Sequence, residues 1–375
     1  MRREATEPGY FPARPARDPD NEALIDLAAA CPMQADISIC VHRAPDFFAL
    51  NHLEGDSWTV GVVGKPGDSV VGCVAAAQRE VWLDREVTRT TYVSDLKVHP
   101  RHRGTGVADA LSLYARDWCA EAGAGVPILI TVLGGNSAVE HRLRKRRSLP
   151  LFTAVGTIRV FTVPILWRRR PPSGSNPAIV RASSEDLKEM AALWSRVARN
   201  RQFAPVFDAA GLAQWITRAP GLSTEHYWLA RDRNGRLAGF LALWDQQPLK
   251  QLVAVGLTVR GAIFRRVFNA VAPALGAARL PRLGEPLPCL SALHVCVPGD
   301  RPDVLRRLLI AAYNEFRGRY SFFSIGLDPR DPLSAALKGL WALPTDVQVY
   351  ASSPDSSYTG PQLLSLPIHF ETALV

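Results

Sequence analysis

The sequence predicts a mixed α/β protein, α+β in layout, built as two domains. Three observations carry that prediction. Short apolar runs of strand character alternate with stretches whose apolar residues recur at the helical period. A Pro/Gly/Ser run near the middle interrupts this pattern, and beyond it the same plan restarts. The chain, at 375 residues, is long enough for two hydrophobic cores.

Taken in order, residues 1–10 read as a loose leader, and a first strand is expected near 11–17, interrupted by Pro12 and Pro15. Asp18-Pro19-Asp20 opens a capped helix that runs to Cys31, and a second helix starts within 44–50. Strand-like runs at 58–63 and 69–77 flank a turn at 64–68, and Asp84-Arg85-Glu86 forms the tip of a further hairpin. The most informative stretch follows, residues 92–123. It holds a strand over 92–98, then His99-Pro100, a basic turn Arg101-His102-Arg103-Gly104-Thr105-Gly106, and a helix. Val107, Leu111, Tyr114 and Trp118 occupy one face of that helix. Next come an apolar strand at 126–133, Gly134-Gly135-Asn136, a basic helix, and a closing strand at 152–163.

A strand that delivers the chain to a glycine turn, with a helix starting at once, leaves bare N–H groups beside the positive end of a helix dipole. Such a turn suits a pyrophosphate. A dinucleotide fingerprint would need glycine where Asp109 stands, and a P-loop would need a lysine that is absent. What remains is R-x-x-G-x-G, met by Arg101, Gly104 and Gly106, preceded by L-x-V-x-P at Leu96, Val98 and Pro100. In these residues the stretch resembles the coenzyme-A-binding motif of the GNAT acyltransferase superfamily, and the order of elements over about residues 10–166 is similar to that of a GNAT domain.

The resemblance implies a mostly antiparallel mixed sheet flanked by helices, and acetyl-CoA or another acyl-CoA as donor, with no metal. It implies that the main chain of Leu96, Lys97 and Val98 holds the pantetheine arm. The pyrophosphate would lie on Arg101, His102, Arg103, Gly104, Thr105, Gly106 and Val107. Asn136 matches the family's asparagine after the fifth strand. Seven residues on, where many members carry an acidic tyrosine, stands Leu143. Asp95 occupies the motif-strand position where members place a base or hold a water; the other reading, and the favoured one, is a structural carboxylate bonded to a neighbouring loop. The run Arg142-Leu143-Arg144-Lys145-Arg146-Arg147 reads as a solvated helix face or as a contact for the coenzyme's 3′-phosphate.

Residues 167–178 read as a linker, dividing residues 1–166 from 179–375. The second part repeats the plan: a strand at 179–182, a helix opened by Ser183, a hairpin around Asp232-Arg233-Asn234-Gly235, a strand at 290–297 in the motif-strand place, and a helix at 302–316. Later strands follow at 322–327 and 348–351. Its turn is Pro298-Gly299-Asp300-Arg301-Pro302-Asp303, with one amide donor removed by Pro302 and carboxylates that would repel a diphosphate. The second part is therefore expected to be a GNAT-like copy that has lost coenzyme binding. It carries an insertion at about 246–288, helical at 262–272, read either as a specificity element or as packing.

Composition sets further limits. Of the residues, 47% are hydrophobic and 21% charged, the balance of an ordinary soluble chain. The net charge of +9 suits an anionic cofactor, and without interleaved aromatics nucleic acid is not expected. The six cysteines form no C-x-x-C pair, which fits a reducing compartment, and the cytoplasm is the expected location. No membrane partner is expected, because arginines interrupt the longest apolar region, 252–278. The function expected is N-acyl transfer to a primary amine, on a small molecule or peptide, by direct attack on the thioester. A non-catalytic coenzyme-binding module and an interaction protein with a basic surface stand as alternatives.

Overall fold

The computed structural model describes residues 12–64, 69–121, 123, 126–136, 139–141, 143, 150–172, 177–352 and 365–374. The leader, most of the 64–68 turn, most of the basic 142–147 run and part of the linker lie outside the described residues.

Thirteen strands join into one sheet. In the first part these are β1 (Arg14–Pro15), β3 (Ser57–Gly64), β4 (Val70–Leu83), β5 (Glu86–Val98), β6 (Ile128–Leu133) and β7 (Thr153–Pro164). The second part supplies β8 (Ala178–Arg181), β9 (Ala204–Pro205), β10 (Tyr227–Arg231), β11 (Leu237–Trp244), β13 (Cys289–Cys296), β14 (Phe322–Leu327) and β15 (Leu343–Ser352). The order is β1-β3-β4-β5-β6-β15-β7-β14-β13-β11-β10-β8, with β9 beside β4. The pairing is antiparallel except at β5–β6 and β13–β14. A mostly antiparallel mixed sheet flanked by helices is the expected class. The hairpin tip falls where the polar residues put it, with Asp84 and Arg85 at φ 49° and 70°.

The expected closing strand does not lie beside β6. The C-terminal β15 takes that place, pairing with β6 on one edge and β7 on the other, and β7 also pairs with β14. Each part thus completes the other's sheet. Val155, Ile158, Val349, Ala351 and Ile368 share one core cluster at this seam.

The sequence reading has no strand at β2 (Ile37–His42) or at β12 (Gln251–Leu257), and these two pair with each other in a second, two-stranded sheet. Neither run announces itself. β2 is a six-residue run that follows Pro32 without a clear alternation of apolar and polar residues, and β12 passes straight into helical pattern. The insertion is thereby fastened to the first part through six residue pairs, from Gln251–His42 to Leu257–Ile37.

Burial also corrects the helix face. In α3 (Val107–Glu121) the fully packed residues are Val107, Leu111, Ala115 and Cys119, while Tyr114 and Trp118 flank them half-buried. The Tyr114 ring lies over Gly61, where a Cβ would sit 2.3 Å from it, and its hydroxyl is 2.7 Å from Thr59 Oγ1.

Because β15 fills the slot between β6 and β7, a fragment of residues 12–166 exposes two long unpaired edges. It should show no cooperative thermal transition by circular dichroism while the full chain does. A cooperatively melting monomeric fragment would contradict this reading of the seam.

Candidate functional site

β5 and β6 lie in register only at Thr91–Val93 against Ile128–Ile130, and from Ser94 onward β5 has β4 alone as its neighbour. The parting opens a cleft of about 430 Å³. Leu96 and Lys97 of β5, Val132 of β6, Cys119 of α3, and Ile39 and Val41 of β2 line it. Leu96 is 40% exposed, so an apolar residue stands open on the parted strand.

The parting begins at a β-bulge. Register shifts between Cys73 and Ala75, and Asp95 takes φ 52°, a conformation uncommon outside glycine, asparagine and aspartate. At the far end of β5 the chain makes a 3₁₀ turn over Pro100–His102, with the Arg101 amide donating to His99 Nδ1 at 3.3 Å. Gly104 (φ 81°) and Gly106 (φ 92°) follow, and a methyl group added at either would meet no atom within 4 Å. Their dihedral angles require glycine, and the space around them is open. Among the described residues, the amides of Gly104, Thr105, Gly106 and Val107 have no backbone acceptor. The Arg101 and Arg103 side chains are exposed, His102 is half-exposed, and Thr105 Oγ1 donates to the His102 carbonyl at 2.7 Å. The Val107 side chain is buried against Gly72, so only its backbone faces the turn. Val98 accepts a thiol contact from Cys31 at 3.5 Å. Asn136 lines the cleft, its Oδ1 accepting from the Val139 amide at 3.4 Å.

Asp95 is brought to the cleft but not left available. Its carboxylate pairs with Arg43 Nη1 at 2.8 Å and with Lys97 Nζ. Burial alone would raise the carboxyl, but Lys97 and then Arg43 outweigh it and hold it well below the usual carboxylate range. Such a group accepts a proton poorly at neutral pH, which argues against Asp95 as the base and for its structural reading. Arg43 is itself buried, with Nη2 on the Phe47 carbonyl at 2.6 Å and its guanidinium 4.6 Å from the Phe47 ring.

The sequence reading overlooked Glu54, at the end of the short helix α2 (Asn51–Glu54). Its carboxylate is buried, with Oε2 3.3 Å from Asn51 Nδ2 and 3.4 Å from Ser94 Oγ on the parted strand. Burial, helped by the nearby Asp95 charge, pushes its pKa up to about 7. No spacing rule marks a lone glutamate in a four-residue helix. Lys250, from the insertion, was overlooked for the same reason. It lines the cleft itself, which Glu54 adjoins only through Ser94, with Nζ 3.0 Å from the Ala373 carbonyl, and burial lowers its pKa to about 8.

The second part repeats the geometry. β13 parts from β14 beyond Ser291, and a register shift on β11 leaves His294 at φ 49°. There the strand's carbonyls are taken. The buried Arg201 guanidinium donates to Val295 and Val297 at 3.2 and 3.1 Å, and pairs with Asp331 at 3.1 Å. The His294 amide donates to Glu371 at 3.1 Å, and its Nδ1 lies 2.7 Å from the Tyr227 hydroxyl.

Residues 22–145 match the family model described as Acetyltransferase (GNAT) family. No curated protein sequence matches the chain. Among solved structures, Saccharomyces cerevisiae N-myristoyltransferase with bound myristoyl-CoA is similar at TM-score 0.60 and 11% identity, over 93% of this chain and 87% of that one. A GCN5-related N-acetyltransferase from Sphaerobacter thermophilus is similar at TM-score 0.53 and 16% identity, over 93% of this chain and 97% of that one. At these identities the likeness concerns the fold, and it extends through both parts.

The raised Glu54 pKa has a consequence for stability. A carboxyl raised from 4.5 to about 7 contributes fully below its unfolded value, and that contribution is lost as pH rises through the folded one. Glu54→Gln is neutral throughout. Its stability relative to the wild type should therefore rise by roughly 2–3 kcal/mol between about pH 5 and pH 8, read from urea unfolding at the two pH values. A pH-independent difference would remove the titration.

Proposed function

We propose, from the premise that residues 22–145 form a GNAT-family acetyltransferase domain, that the protein is an acyl-CoA-dependent N-acyltransferase acting on a primary amine. The observation that carries this reading is the parting of β5 from β6 over a cleft, on the strand whose chain runs on into the open glycine turn. The diphosphate would take the amides between Arg101 and Val107, with charge-assisted contacts from Arg101 and Arg103. The pantetheine arm would run along Leu96, Lys97 and Val98, which lack a strand partner on the β6 side. The thioester would then lie near Ser94.

In the proposed reaction the amine nitrogen attacks the thioester carbonyl and the carbon–sulfur bond breaks. The amine's proton leaves to a base, and the thiolate takes up a proton. Most of the acceleration comes from holding amine and thioester together. Glu54, with a pKa of about 7 and a contact to Ser94, is the base this geometry favours, acting through the serine hydroxyl or a water. With Leu143 where a tyrosine is common, Lys250 is the proton donor best matched to a thiolate. The second part would then be a degenerate copy whose coenzyme contacts Arg201 has replaced, and whose insertion supplies Lys250 to the cleft.

The donor proposed is acetyl-CoA. The apolar end of the cleft, formed by Val132, Leu143 and Phe152, favours a second reading with a longer acyl chain. Calorimetry with acetyl-CoA and a medium-chain acyl-CoA separates the two.

Two outcomes are expected. Gly104→Val and Gly106→Val should each weaken acyl-CoA binding at least about tenfold, since both force a β-branched residue to positive φ, while Gly299→Val should leave it unchanged. No binding by the wild type sinks the proposal. In a thiol-release assay over a panel of amines, kcat/KM should rise with pH to an inflection near 7, and Glu54→Gln should lower kcat about 100-fold and flatten that limb. An unchanged profile excludes Glu54 as the base.

A further inference from the structure

The insertion carries a helix, α6 (Val259–Leu275), that is built inside out. Its inner face is small: Gly261 sits so close to the Asp36 carbonyl that a Cβ would stand 2.2 Å from it, and Ala272 is fully buried. Thr258 caps the start, accepting from the Gly261 amide at 3.2 Å and donating to Asp36 at 2.8 Å. At the other end, Asn269 exchanges two hydrogen bonds of 2.8 Å with the backbone of Leu280. The helix is therefore fixed in orientation, and what it turns outward is apolar. Val259, Ile263, Phe264, Val267 and Val271 are between 45% and 77% exposed. At 100° per residue they fall within one 140° arc, shared with two exposed alanines and Arg260.

Charge supplies a second, independent observation. Residues 251–284 hold five arginines and no carboxylate. Four of these, Arg265, Arg266, Arg279 and Arg282, line an open cleft of about 550 Å³ along one flank of the helix, with Glu285 as its one carboxylate, bonded to the Arg282 amide. One exposed side thus offers a fixed apolar ridge beside an arginine-lined groove. Soluble chains rarely leave such a ridge bare, and a basic flank beside it matches the surface of an anionic bilayer, where apolar side chains enter the acyl boundary and arginines meet the phosphates.

We propose that α6 docks the protein on an anionic lipid surface, lying in the interface plane rather than crossing it. No described helix is long and apolar enough to span a membrane. Docking would hold the cleft close to the surface, because β12, which leads into α6, pairs with β2, and Ile39 and Val41 of β2 line the cleft. This site is separate from the proposed acyl-transfer site, so either can fail alone.

The test is sedimentation of the full chain with extruded vesicles, one set of phosphatidylcholine and one of equal parts phosphatidylcholine and phosphatidylglycerol. Binding should be at least about tenfold stronger to the anionic set and should weaken with salt. Ile263→Ser with Val267→Ser should abolish it without changing the Tm, and Arg266→Gln with Arg279→Gln should remove the preference for the anionic set. Wild-type retention equal on both sets, or unchanged by these substitutions, overturns the proposal. So does self-association in light scattering that the serine variant abolishes, without vesicle binding by the wild type.

Discussion

A strand that leaves its neighbour must be held from its other side. β6 keeps β5 for only three residues and then bounds an open cleft. What fixes it there is β15, paired with it over Val347–Ser352. Backbone groups next to an apolar cleft cannot all be left unpaired, so an open cleft in the first part depends on a strand delivered from the second. The exchange of β7 and β15 across the seam makes the two parts one folding problem, and it explains why fold likenesses below 20% identity run through more than nine-tenths of the chain.

Around the parting, charge is sorted rather than merely present. Arg43 and Lys97 keep Asp95 ionised, and that fixed negative charge, in a buried setting, helps keep the neighbouring Glu54 protonated near neutrality. Two carboxylates a few residues of structure apart thus have opposite tendencies, one committed to a structural ion pair and one poised to exchange a proton. Lys250 completes the set from the insertion, its ammonium destabilised by the same burial.

The glycine turn and the elements flanking it were legible because their cause is local: positive φ at Gly104 and Gly106, a helix start, and an alternating strand. The bulge at Asp95 was not, since nothing in the sequence marks which residue of a strand will be squeezed out of register. Nor were β2 and β12, which pair with each other across two hundred residues. Glu54 and Lys250 were hidden for a related reason. Their chemistry comes from what surrounds them, and their surroundings are assembled from both parts. The face of α3 was misread because bulky Tyr114 and Trp118 look like core, whereas alanine and cysteine at 115 and 119 allow the close packing.

Arg201 gives the parted strand of the second part what the first part's lacks. Its buried guanidinium donates to the Val295 and Val297 carbonyls and is itself held by Asp331. On the proposed reading, the matching carbonyls of the first part would find their partners in an exchangeable coenzyme. A molecule of this design would have a fixed jaw and a responsive one, and changes on loading would be confined to the responsive side.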